Sequence, residues 1–175
     1  MRKELVSASR NADAASRHDW LELERVARVE LSSEAEGYPV EGALLNDGQG
    51  GWRANEPGIQ TIRLLFDHPH TIQVIRLVFR EEECERTQEF VLRWLPIGAA
   101  SWRDIVRQQW NFSPPNTVKE CEEYKVQLVS AVGLELSIDP DISRGKCVAS
   151  LERFQLSVRS ESSSRATRES SEAVG

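Results

Sequence analysis

Apolar and polar residues alternate along most of the middle of the chain. In Gln60–Phe66, Ile62, Leu64 and Phe66 fall on one face, with Thr61, Arg63 and Leu65 on the other. Gln73–Arg80 repeats the pattern with Ile75, Leu77 and Phe79, and Gln88–Trp94 with Phe90, Leu92 and Trp94. Successive side chains of a strand point to opposite faces, so a period of two predicts half-buried antiparallel strands. A further strand over Trp102–Phe112 loses its alternation at Ile105-Val106, as a bulge would make it do. Tyr124–Leu128 and Gly133–Ile138 follow, the latter ending at the turn Asp139-Pro140-Asp141, and Ser150–Val158 is the last strand. Near the start, Trp20, Leu21 and Leu23 with their acidic neighbours predict a short helix before a strand over Ala27–Leu31. Pro39 opens a helical turn through Leu45, proline being tolerated at the first helical position. Seven or eight short strands joined by Gly, Pro, Asn and Asp turns, with no long helix, make an all-β sandwich or barrel.

The pattern fades at both ends. Residues 1–17 are polar, Ala/Ser-rich and aperiodic and read as a flexible leader. Residues 159–175 are Ser-rich with mixed charge and cannot bury enough apolar surface to offset their ordering entropy, so they read as a disordered tail. The folded domain is expected over residues 18–158. A length of 175 residues suits one such domain, and 39% hydrophobic residues suffice for a core. The net charge of -6 and pI near 5.2 disfavour nucleic acid, since phosphate binding calls for a basic stripe and the arginines here are scattered among acids. Behind Arg2-Lys3 only Leu5-Val6 stand where a secretory signal needs an apolar run, and no window is long and apolar enough for a membrane span. The expected location is therefore cytoplasmic, unless the chain begins inside a longer secreted precursor. Cys84, Cys121 and Cys147 are odd in number and widely spaced, which fits neither a disulfide framework nor a zinc site. They read as reduced bystanders, Cys84 lying in the acidic run REEECER, where carboxylates weaken a nucleophilic thiol.

The order of segments carries a family likeness. The loop ALLNDGQGGW, the strands QTIRLLF, IQVIRLVF and EFVLRW, the turn-strand GAASWRDI and the final ASLERFQLSV follow one another over residues 26–158. In this order and spacing the chain resembles the discoidin, or coagulation-factor C-type, family of galactose-binding-like β-sandwiches. The resemblance implies an antiparallel jelly-roll sandwich of about eight strands with short helical turns. It also implies a non-catalytic binding module for glycans, lipid headgroups or proteins. No cysteine lies near either end to join the termini, as in extracellular members. The loops set single Trp or Phe residues beside charges, so no membrane insertion is expected.

Two constellations could carry binding chemistry. Members of the family frequently hold a structural calcium ion in an Asp-Gly loop closed by a glutamate on the last strand, and Asp47 and Glu152 match those positions. Glu152 shares strand parity with Phe154, Leu156 and Val158, and a core-facing carboxylate needs a partner. Calcium prefers several oxygen ligands, many of which a Gly-rich loop supplies as carbonyls. Gly50-Gly51 stand where the family's usual threonine ligand would be, and pairing of Glu152 with an arginine such as Arg53 is the alternative. In the second constellation, aromatic faces stack on sugar rings while Arg, Asn and Gln supply directional hydrogen bonds. Trp52, Arg53, Arg107, Trp110 and Asn111 would line a shallow site if their loops converge at one end of the sandwich. Trp94 and Trp102 are expected in the core. His68-Pro69-His70 reads as an exposed turn, and Glu81-Glu82-Glu83 as a solvated hairpin end. No GxSxG, P-loop, HExxH or GxGxxG occurs, and no nucleophile–base pair is visible. The expected function is recognition of a carbohydrate or glycosylated ligand by the loops at one end, with a cytoplasmic protein–protein adaptor as the alternative.

Overall fold

The computed structural model describes residues 18–159. The expected leader and all but the first residue of the expected tail lie outside the described residues. In chain order the elements are α1 (Leu23–Val26), β1 (Ala27–Leu31), α2 (Glu41–Leu44), β2 (Trp52–Pro57), β3 (Gln60–Arg80), β4 (Arg86–Pro96), β5 (Arg103–Phe112), β6 (Lys119–Asp139), β7 (Val148–Leu151) and β8 (Arg153–Val158).

Two strands of 21 residues, β3 and β6, run through both layers of an antiparallel β-sandwich. The first half of β3 pairs with β1 and with the second half of β6, which continues to β4 and then β5. The second half of β3 pairs with β8 and with the first half of β6. Between the halves the register shifts around residues 65–74 of β3, and Ser130 of β6 takes a positive φ of 54°. His68-Pro69-His70 is thus part of one bent strand rather than a turn between two, with His68 and Pro69 exposed and His70 half-buried against Phe66. Strands β2 and β7 form a separate two-stranded sheet.

The faces fall where the alternation put them. Ile62, Leu64, Leu134, Leu136, Ile138 and Leu92 are wholly buried in one layer, and Ile75, Leu77, Phe154 and Leu156 in the other. The rings of Phe79 and Phe90 stack across the core with centroids 5.1 Å apart. Trp94 and Trp102 are only half-buried at its margin, under Arg103 and Arg63 respectively. The bulge lies at the expected place: Leu92 pairs with Val106 and Arg93 with Asp104, so Ile105 has no partner.

Four expectations change. The segment 52–57, read as loop, is the strand β2. The last strand is divided at Glu152, because the chain there leaves β2, the partner of β7, for β3, the partner of β8. Glu152 donates its backbone N–H to Val78 at 2.7 Å at this crossing, and its side chain is half-exposed instead of facing the core. Cys84 and Cys147 form a disulfide with Cα atoms 6.2 Å apart, and only Cys121 is free. Sequence separation hid this pairing, since 63 residues of sheet lie between two thiols that the topology brings together. Within the acidic run, Glu81 is buried, accepting the N–H groups of Glu83 and Cys84 at 2.9 and 3.0 Å and facing the buried Arg86 at 3.5 Å. Only Glu82 and Glu83 are solvated.

Candidate functional site

A concave cavity of about 400 Å³ opens at the end of the sandwich where β3 stops, β2 starts and β7 hands over to β8. Tyr38, Arg53, Arg80, Glu82, Glu152 and Arg153 contribute its polar and aromatic lining, with the backbone of Gly48–Gly51 along one side.

The segment before β2 places Tyr38. The side chain of Glu34 accepts the N–H of Val40 at 3.0 Å, and Tyr38 donates its own N–H to Ala35, so the chain turns back at Gly37, whose φ is 82°. Arg53 donates its backbone N–H to Tyr38 and accepts that of Ala35, which brings the two side chains together. The guanidinium of Arg53 lies over the Tyr38 ring, 5.3 Å from its centroid, in a cation–π contact. Tyr38 stays 40% exposed. Beneath them Trp52 is 1% exposed and donates its indole N–H to the carbonyl of Ser33 at 3.1 Å. Trp52 therefore lines the cavity beside Arg53 as a buried residue, and Tyr38 is the exposed aromatic that sequence reasoning missed. The signal was present as an aromatic between Gly37 and Pro39, residues that favour an exposed turn.

On the opposite wall Arg80 donates to Glu152 at 3.2 Å and to Glu82 at 3.1 Å, and these carboxylates, Glu152 first, hold its guanidinium above its usual range. Lys119 approaches Glu152 at 3.9 Å. The expected pairing of Glu152 with an arginine is present, with Arg80 in the place of Arg53.

The loop between α2 and β2 settles where its carbonyls point. Arg153 donates to the carbonyls of Gly42 and Leu45, both at 3.2 Å, and to that of Gly48. The loop is closed so tightly that a Cβ on Gly48 would lie 2.6 Å from the carbonyl of Glu41. Gly51, at φ 66°, packs its backbone against Leu151, where a Cβ would meet a carbonyl at 2.6 Å. The donor set does not fit calcium: the converging carbonyls already serve a guanidinium, Glu152 faces Arg80 and Lys119, and Asp47 is exposed. Among the described residues no group of three His, Cys, Asp or Glu side chains is placed to hold a metal ion.

The remaining expected residues lie elsewhere. Arg107 is exposed on β5 and pairs with Glu89 at 2.5 Å, opposite Val91 in mid-sheet. Trp110 and Asn111 line a separate, shallower hollow with Gln109 and Thr117. Trp110 packs against the core and its buried indole N–H has no partner among the described residues, while Asn111 accepts from Thr87 at 2.7 Å. The two expected loop groups thus do not converge on one cavity: Trp52 and Arg53 belong to the first, Trp110 and Asn111 to the second.

No protein-family model matches the chain, and no curated protein matches it in sequence. Solved structures share its fold. The family 32 carbohydrate-binding module of NanJ from C. perfringens, in complex with galactose, superposes with a TM-score of 0.59 at 10% identity over 78% of this chain and 96% of that one. CpGH89CBM32-5 from Clostridium perfringens, in complex with GalNAc-β-1,3-galactose, gives 0.55 at 17% identity over 78% and 98%. The family 32 module of AlyQ, in complex with 4,5-unsaturated mannuronic acid, gives 0.54 at 15% identity over 75% and 94%. At these identities the likeness establishes the fold alone, an antiparallel β-sandwich.

Proposed function

We propose that this protein is a non-catalytic carbohydrate-binding domain whose site is the cavity between Tyr38, Arg53 and Arg80. The observation that carries the reading is the cavity itself: a concavity of about 400 Å³ beside a 40% exposed tyrosine ring and flanked by guanidinium and carboxylate groups. Sugar recognition uses an aromatic face for the C–H side of a pyranose and planar polar side chains for its hydroxyls. The solved relatives in fold that carry galactose, GalNAc-β-1,3-galactose or an unsaturated uronic acid support the same class of ligand. A protein adaptor would call for a broad contact face of about 1,000 Å² or more in total, and no comparable observation favours it.

The Cys84–Cys147 disulfide supports an oxidising compartment in place of the cytoplasm, since thiols are kept reduced in the cytosol.

A glycan array probed with the full chain tests the reading, with Tyr38→Ala in parallel. Concentration-dependent capture on related sugars, lost in Tyr38→Ala while its melting temperature holds, is the expected result. Folded protein that captures no glycan would sink the proposal.

A further inference from the structure

From the charge balance of this cavity we infer that its ligand is an acidic sugar, a uronic acid whose carboxylate is received by Arg53. The inference rests on the carbohydrate-binding reading and narrows it. Three arginines and two glutamates line the cavity. Both glutamate carboxylates are engaged, Glu82 by Arg80 and Glu152 by Arg80 and Lys119. Arg153 directs its N–H groups into the loop carbonyls. Arg53 is left. Among the described residues it is the one half-buried or buried arginine with neither a carboxylate partner nor a side-chain hydrogen bond.

A guanidinium offers five N–H donors, and those of Arg53 meet no acceptor among the described residues and stand on the cavity wall, open to a ligand. Its stacking on Tyr38 fixes the plane of the fork without using those donors. The surroundings sharpen the need for an anion. Burial holds the guanidinium of Arg86 below its usual range, Glu81 opposes this, and nearby Arg53 adds to it, so Arg53 repels a second cation close by. In a chain of net charge -6, this end of the molecule presents a cation with no carboxylate partner among the described residues. A carboxylate matches the guanidinium fork with two parallel hydrogen bonds, and a sugar bearing one sets its ring beside Tyr38 at the same time. A neutral sugar would leave the fork matched only by hydroxyls.

Titration calorimetry of the full chain against a galacturonate oligosaccharide, its methyl ester, a neutral galactose oligosaccharide and inorganic sulfate distinguishes the outcomes. The acid should bind about tenfold or more tightly than its ester, and the preference should shrink as salt rises. Arg53→Gln should bring acid and ester to equal affinity, and Arg53→Lys should restore only part of the preference, because a lysine cannot make the bidentate pair. Equal binding of acid and ester by the unmodified protein would overturn the charge selection and leave the carbohydrate reading standing. Sulfate competing as well as the acidic sugar would overturn it in favour of a bare anion site. An unchanged preference in Arg53→Gln would remove Arg53 from the role. Binding of none of the sugars would overturn both readings together.

Discussion

The carbonyls of Gly42, Leu45 and Gly48 are oriented by the turn that α2 makes into the glycine-rich loop, and they meet at the guanidinium of Arg153. A fork of five N–H donors can serve three acceptors from one position, and its positive charge offsets the convergent dipoles. A divalent ion held in a similar loop would do so reversibly; a side chain does so permanently. Two measurements follow from this difference. The melting temperature of the protein should be the same in millimolar calcium and in EDTA, because the converging carbonyls of this loop already serve Arg153. Arg153→Ala should destabilise it by about 2–3 kcal/mol, the loss expected when a charged donor is withdrawn from partly buried carbonyls. A melt that rises with calcium in the unmodified protein would refute the substitution of guanidinium for metal. The residues of this loop were legible in the sequence as a loop with cation-directed carbonyls, and Glu152 as a carboxylate in need of a partner. What could not be read was that Arg153, the next residue, would provide the charge. Strand parity placed Glu152 inward, whereas the handover from β7 to β8 rotates it out toward Arg80. Trp52 shows the same limit: an aromatic next to an arginine in a Gly-rich loop looks exposed, but β2, paired with β7, buries it where it lines the cavity, with its N–H on Ser33.

At the scale of elements, the period of two was enough to place β1, β4, β5 with its bulge, and both halves of β3 and β6. It could not show that each pair of halves is one strand, because alternation is interrupted at a bend as it is at a turn. Nor could it find β2, whose Arg53, Asn55 and Glu56 alternate only weakly with Trp52 and Ala54. The inner face of β6 contains a further departure, visible only once the layers are assembled. Glu120, Glu122 and Tyr124 point inward, where apolar residues are the rule, and Gln108 of β5 meets all three. Its amide donates to Glu122 at 2.6 Å and to Glu120 at 3.4 Å, and its carbonyl accepts from Tyr124 at 2.5 Å. Burial, and after it the charge of Glu122, pushes Glu120 up to about 7. A carboxyl whose folded pKa exceeds its unfolded one stabilises the fold most fully below the unfolded pKa, and that contribution is lost as pH rises through about 7. Glu120 should therefore lower the melting temperature between about pH 5 and pH 8. Because burial, and after it the charge of His68, also moves His70 downward, the readout is the difference from Glu120→Gln, which should be flatter with pH. Parallel curves for the two proteins would show that Glu120 does not titrate there.

Seen as a whole, the molecule builds its cavity from segments far apart in the chain: Tyr38 before β2, Arg53 on it, Arg80 at the end of β3 and Glu82 just past it, Glu152 between β7 and β8, and Arg153 at the start of β8. The hydrophobic core fixes the strands and takes in Val40, Ala43 and Leu44 of the segment before β2. The disulfide acts between two other segments. Cys84 lies in the β3–β4 connection, next to the Glu81–Arg86 pair, and Cys147 lies at the approach to β7, whose Val148 carbonyl and Ser150 hydroxyl accept from Arg86. The covalent link and the buried ion pair thus join the same two segments, across a sequence separation of 63 residues. Closing a loop of that length in the unfolded chain removes entropy on the scale of about 4 kcal/mol, and native disulfides commonly return about 2–4 kcal/mol of it. Reduction, or Cys84→Ser, should lower stability by that amount without unfolding the protein at 25 °C. The core between the two layers, with Ile62, Leu64, Ile75, Leu77, Phe79 and Phe90 almost wholly buried, remains to hold the strands. Denaturant melts in the presence and absence of a strong reductant measure the difference. The Cys121→Ser protein serves as the control, since its thiol is free and exposed and should respond to reductant as the unmodified protein does. If the oxidised and reduced proteins melt together, the thiols are unpaired in solution, and the case for an oxidising compartment goes with them. If they differ by the expected amount, the loops that frame the cavity owe part of their order to oxidation. Affinity for an acidic sugar should then fall in the reduced protein even where its strands remain folded.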